Sequence, residues 1–106
     1  MERFSIIPEH PNYAISDFGR VLNIQRDHFM GGSIEKRSGY RYVTLGGRPK
    51  FVHRLVALAF LEKKWDSFFV YHKDGDKLNN RFENLEWSTI CTVQMHTGEL
   101  PYNFTK

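Results

Sequence analysis

The sequence predicts an α+β fold in one domain: two β-hairpins, a helix, a short strand pair and a closing helix. Three observations predict it. The chain has 106 residues, which suits one domain. Stretches 13–24 and 40–52 each place β-favouring residues on both sides of a turn-forming segment. Stretch 53–61 carries apolar residues at helical spacing.

Taken in order, Tyr13-Ala14-Ile15-Ser16 and Arg20-Val21-Leu22-Asn23-Ile24 are short apolar runs joined by Asp17-Phe18-Gly19, which is turn chemistry. Stretch 27–39 has three glycines and mixed charge, and reads as loop. Stretch 40–45 is β-rich, Gly46-Gly47-Arg48-Pro49 turns, and Phe51-Val52 returns. In the helix, Leu55, Val56, Leu58, Ala59 and Leu61 form the expected buried stripe. Phe68-Phe69-Val70-Tyr71 and Leu85-Glu86-Trp87 read as short strands, with Phe82 and Trp87 in the core. Thr89 can cap a last helix running to about His96, with Gly98 at its end.

Composition excludes several classes. Hydrophobic residues at 41% and aromatics at 15% argue for a packed chain rather than a disordered one. No apolar run approaches the roughly 20 residues of a membrane helix. The start MERFSIIPEHP lacks a basic segment leading into an apolar one, so no signal peptide is expected. Cys91 is the single cysteine, which rules out an intrachain disulfide and a cysteine-based zinc site. A reducing, cytoplasmic setting is expected.

Charge is uneven. Residues 1–64 hold 11 Lys+Arg against 6 Asp+Glu; residues 65–106 hold 4 against 6. Stretch 36–54 contains six basic residues (Lys36, Arg37, Arg41, Arg48, Lys50, Arg54) and no acid, with Tyr40, Tyr42 and Phe51 among them. Basic and aromatic residues together suit a polyanion such as nucleic acid. A plain solvated surface is the other reading.

The second half carries the chemistry. A histidine ends a strand at His72; a polar loop and Asn84 follow, then a helix bearing His96. Such a layout can set an imidazole beside a divalent cation. The imidazole can then take a proton from water and aim the hydroxide at phosphorus. An Asn twelve residues on can hold that histidine's backbone or ring. Asp74-Gly75-Asp76 lacks the closing acidic residue of a calcium loop. Asn79-Asn80 is expected to shape a turn. His53 is expected to be packed and hydrogen-bonded.

Three blocks resemble the HNH nucleases of phages and mobile introns, also called His-Me finger or ββα-metal enzymes. Stretch 4–23 looks like the small module that often precedes the HNH fold. Val52-His53-Arg54-Leu55-Val56-Ala57-Leu58-Ala59-Phe60 is similar to the helix leading into it. His72-Lys73-Asp74-Gly75-Asp76-Lys77-Leu78-Asn79-Asn80 with Asn84-Leu85-Glu86-Trp87 looks like the HNH signature. The resemblance implies a β-hairpin module over 4–50, a ββα-metal unit over 51–98 and a tail over 99–106. It implies His72 as general base, Asn84 as the residue that braces the fold and orients His72, and His96 as the late histidine. It implies DNA as partner, with Arg20, Arg41, Arg48, Lys50, Arg54 and Lys73 as phosphate contacts, and Mg²⁺ or Mn²⁺ as cofactor. A phage- or mobile-element-encoded protein in a bacterial host is expected. No helix-turn-helix follows in the sequence, which argues against recognition of a long site.

Two positions depart from the family pattern. The residue before the base usually reaches the metal, and here it is Tyr71. The second ligand position is Val93, which offers no lone pair. A shifted metal site built from His96 with Asp74 is one consequence. The other is a degenerate HNH protein without metal or catalysis, binding DNA or a protein target as a phage regulator or inhibitor.

Overall fold

The structure, a computed structural model, describes residues 1–88. The expected last helix, His96, Val93 and the tail therefore lie outside the described residues. Strands β1 (Phe4–Ile7), β2 (His10–Ser16), β3 (Val21–Asn23) and β4 (His28–Met30) form an antiparallel sheet in chain order. Strands β5 (Ser33–Ile34), β6 (Arg41–Leu45) and β7 (Arg48–Phe51) form a second sheet. Helix α1 (Val52–Phe60) follows directly. Strands β8 (Phe69–His72) and β9 (Leu85–Ser88) form a two-stranded antiparallel ribbon. A 3-10 turn, Phe82–Asn84, leads into β9.

Both expected hairpins are present, as β2–β3 and β6–β7. Stretch 27–39 is not wholly loop. It contains β4, paired to β3, and the two-residue β5, paired to β6. These strands are too short to show alternation, so their pairing partners define them. Strand β1 likewise takes its register from β2, with Phe4 opposite Ser16.

Helix α1 is the common wall of the fold. Its first residues, Val52 and His53, are buried together with Leu55, Val56 and Ala57. They join one core with Ile7, Ile15 and Val21 from the first sheet, Val43 and Leu45 from the second, and Val70 and Leu85 from the ribbon. Phe82 and Trp87 are half-buried against this core, and Trp87 Nε1 donates to the Ala57 carbonyl at 3.3 Å. Leu58 departs from the expected stripe and is 57% exposed. Two positions after Val56, it lies about 200° around the helix from that buried side chain.

The turn joining β2 to β3 does more than reverse the chain. Ser16 Oγ accepts from the backbone amides of Phe18 and Arg20, and Ser16 O accepts from Gly19 N. The Asp17 carboxylate accepts from the Arg3 amide and Nε at 2.9 and 3.0 Å. Those bonds, led by the Arg3 amide, hold its pKa below the usual carboxylate range. Asp17 O accepts from Phe82 N at 2.9 Å, which ties the turn to the segment after Asn80. Gly19 has φ +91°, and a Cβ there would stand 2.8 Å from the Asn80 Cβ. Only glycine allows both that backbone and that approach. Gly19→Ala is expected to cost about 2 kcal/mol of stability, read as a lower midpoint with unchanged slope in urea unfolding.

Candidate active site

His72 ends β8, and the strand's alternation decides its surroundings. Val70 and His72 face the core, while Tyr71 shares the opposite face with its cross-strand partner Glu86. His72 is 3% exposed. Its Nε2 lies 2.7 Å from Asn80 Oδ1, a bond buried from water. A carbonyl oxygen can only accept, so Nε2 carries the proton. In the neutral ring the lone pair then sits on Nδ1, which can take up a proton. Burial holds the His72 pKa below the ordinary imidazole value, opposed by the Asn80 bond and the charges of Asp74 and Asp76.

The ring's partner is therefore Asn80 and not Asn84. Asn80 is 5% exposed, so it is more than a turn residue. The sequence carries no signal for this contact except its position in the polar loop. Asn84 braces the loop instead. Its Oδ1 accepts from the Asp74 amide at 3.1 Å, and its Nδ2 donates to Asp74 Oδ1 and to the Asn79 carbonyl at 2.9 Å each. Its backbone carbonyl accepts from Lys73 N at 2.7 Å, directly after the histidine. Asn84 thus fixes the backbone leaving His72, while Asn80 fixes the ring.

Two further rings surround His72. Tyr40 stacks on it with centroids 5.7 Å apart and planes 20° apart. His53, from the first turn of α1, stacks on Tyr40 at 4.4 Å and lies 5.2 Å from His72. His53 is packed as expected, but its buried Nδ1 lacks the expected hydrogen bond among the described residues. Burial first, then the neighbouring His72 and Arg54, push its pKa down to about 3. The ring is therefore neutral at physiological pH.

Residues 50–92 match the HNH endonuclease family, and residues 2–46 match the NUMOD4 motif. The chain is 40% identical over 82 residues to the DNA endonuclease I-HmuI of Bacillus phage SP01, covering 74% of this chain and 47% of that protein. It is 44% identical over 103 residues to an uncharacterised mimivirus HNH endonuclease, L247, covering 93% and 26%. It is 35% identical over 106 residues to the H-N-H endonuclease F-TflII of Escherichia phage T5, covering 91% and 51%. A solved structure of the homing endonuclease I-HmuI superposes with a TM-score of 0.76 at 36% identity, covering 92% of this chain and 60% of that one.

This chain carries an HNH endonuclease domain preceded by a NUMOD4 motif. It spans about half the length, or less, of the curated relatives it matches.

HNH nucleases are metal-dependent, so the donors around His72 can be tested against a hard cation. Tyr71 donates its hydroxyl to Glu86 Oε1 at 2.8 Å, on the face away from His72. Hydrogen bonding to Glu86 raises the Tyr71 pKa further, so the phenol stays neutral. Asp74 is committed to the loop: its Oδ1 accepts from Asp76 N and Asn84 Nδ2, and its Oδ2 from Asn79 Nδ2. Those bonds hold its pKa below the usual range, as in a carboxylate that shapes a turn. Among the described residues no three His, Cys, Asp or Glu side chains come together to hold an ion. The described donors do not by themselves make a site for a divalent metal.

The cations expected at phosphate are mostly engaged. Arg20 pairs with Glu2 and lies over the Phe29 ring. Arg41 donates to the Gly31 carbonyl and Arg54 to the Phe68 carbonyl. Lys50 pairs with Glu9 at 3.7 Å. Among the described residues, neither Arg48 nor Lys73 has an ion pair. The strand register places Arg48 and Lys50 opposite Leu45 and Val43, on the β6–β7 face that carries Arg41 but whose Val43 and Leu45 are packed into the core.

The depressed His53 pKa makes stability depend on pH. Between pH 6.5 and about 3 the unfolded chain binds a proton that the folded ring refuses. Stability is therefore full above the ordinary imidazole pKa and falls as the pH drops through that window, by roughly 1 kcal/mol per pH unit. His72 is shifted in the same direction. Urea unfolding across the window should show a shallower pH slope in His53→Phe than in the wild type.

Proposed function

We propose that this chain carries the HNH unit of a DNA endonuclease, with His72 as general base in phosphodiester hydrolysis. One observation carries the reading: Asn80 occupies Nε2 of His72, so the free base of the ring is Nδ1. Nδ1 takes a proton from water as the water oxygen bonds to phosphorus and the bond from phosphorus to the leaving sugar oxygen breaks. Asn84 supports this by fixing the backbone that follows the base. I-HmuI, the solved relative, is described by its DNA binding and cleavage. DNA is the substrate class by that likeness and by the basic stretch 36–54. The carbonyls that hold Arg41 and Arg54 and the 3.7 Å carboxylate contact of Lys50 are weak surface partners, which phosphates can displace, whereas Arg20 is held by both oxygens of Glu2.

Supercoiled plasmid incubated with Mg²⁺ or Mn²⁺ tests the reading. The wild-type chain should nick it, EDTA should stop the nicking, and His72→Ala should lose at least about 100-fold in rate. A His72→Ala rate equal to wild type would refute His72 as the base.

A second reading rests on Tyr71. Its hydroxyl is tied to Glu86, which leaves the usual ligand position without a good donor and favours a chain that binds DNA but does not cut it. No nicking together with a salt-sensitive gel shift would select that reading. In either case affinity should fall steeply with salt. Arg48→Ala and Lys73→Ala should each lower the slope of log K against log[salt] by about 1. Unchanged slopes would remove those two side chains from the phosphate contacts.

A further inference from the structure

We propose that Tyr40 and His53 are positioning residues, an aromatic bracket that fixes the ring plane of His72 so that its bond to Asn80 can form and its Nδ1 faces one direction. The proposal deepens the reading of His72 as general base and rests on it for its catalytic meaning.

One hydrogen bond at Nε2 does not by itself hold an imidazole, because the ring can still turn about its own side-chain bonds. The remaining restraint comes from the flanking rings. Tyr40 stacks on His72 at 5.7 Å and on His53 at 4.4 Å, and His53 tilts against His72 at 5.2 Å. Phe51 meets Tyr40 edge-on at 5.7 Å and keeps the tyrosine ring from sliding. Lys77 closes the assembly: its Nζ lies 5.1 Å from the Tyr40 centroid and donates to the Ser38 carbonyl at 2.7 Å. That bond pins the segment carrying Tyr40 to the loop that follows His72.

His53 is hard to explain as packing alone. An apolar side chain would fill the first turn of α1 without burying a nitrogen that finds no partner among the described residues. A neutral ring at this point has a use. It offers a flat surface to His72 and adds no positive charge beside a base that must accept a proton.

The test reads the ring of His72 directly. Long-range ¹H–¹⁵N spectra at neutral pH report which ring nitrogen carries the proton. In the wild type His72 should show one tautomer, with Nδ1 and Nε2 well separated in ¹⁵N shift. In Tyr40→Leu and in His53→Leu the separation should collapse toward the tautomer average. In Tyr40→Phe, which keeps the ring and loses only the hydroxyl, it should be preserved. Tyr40 is only half-buried, so its variants serve even where His53→Leu fails to fold. A full separation in Tyr40→Leu would overturn the bracket, as would a collapse in Tyr40→Phe equal to that in Tyr40→Leu. A wild-type chain that nicks no DNA would refute the nuclease reading, yet the ¹⁵N result would still decide the bracket.

Discussion

Helix α1 is the element that every other part of this fold requires. The described sheets have four, three and two strands, and such small sheets need an apolar surface to pack against. The helix provides it within nine residues, because Val52, His53, Leu55, Val56 and Ala57 cover most of its circumference. Its position follows from chain economy. It begins at the residue after β7 ends, with Phe51 still extended, so the second sheet and the helix cannot move independently.

That arrangement makes the NUMOD4 stretch and the HNH stretch one mechanical unit. The β2–β3 turn reaches the HNH loop through Gly19 against Asn80 and through the Asp17 carbonyl to Phe82. The segment before β6 reaches it through Tyr40 and Ser38. Lone hydrogen bonds of this kind contribute little net stability. Their effect is on position, since they come from two different sheets and converge on the segment 72–82. The N-terminal stretch therefore helps to set the geometry of the candidate base.

Much of this was legible in the residues. The β2–β3 and β6–β7 hairpins stand where turn chemistry meets β-favouring runs. The helix starts within a residue of its expected place. Strands β4 and β5 were not legible, since three and two residues hold no period. Leu58 was misassigned because spacing alone does not say which side of the helix the core lies on. Asn84 stood out by its place in the HNH pattern. Asn80, which touches the ring, did not, because a polar residue in a turn-rich loop has the same appearance whether it faces solvent or core.

By itself, then, the sequence determined the family, the α+β class, the order of the main elements and the identity of His72. The class and the order follow from local propensity and periodicity, and the family and His72 from the resemblance its motifs carry, all of which reside in neighbouring residues. Only the tertiary structure decided which side chains meet His72. Asn80, Tyr40 and His53 are separated from it by 8, 32 and 19 positions. Their meeting depends on how three sheets close on one helix. It also decided that Tyr71 leaves the site to bond Glu86. The pleat of an antiparallel pair sends consecutive residues to opposite faces, and the core's position determines which of the two, Tyr71 or His72, stays inside.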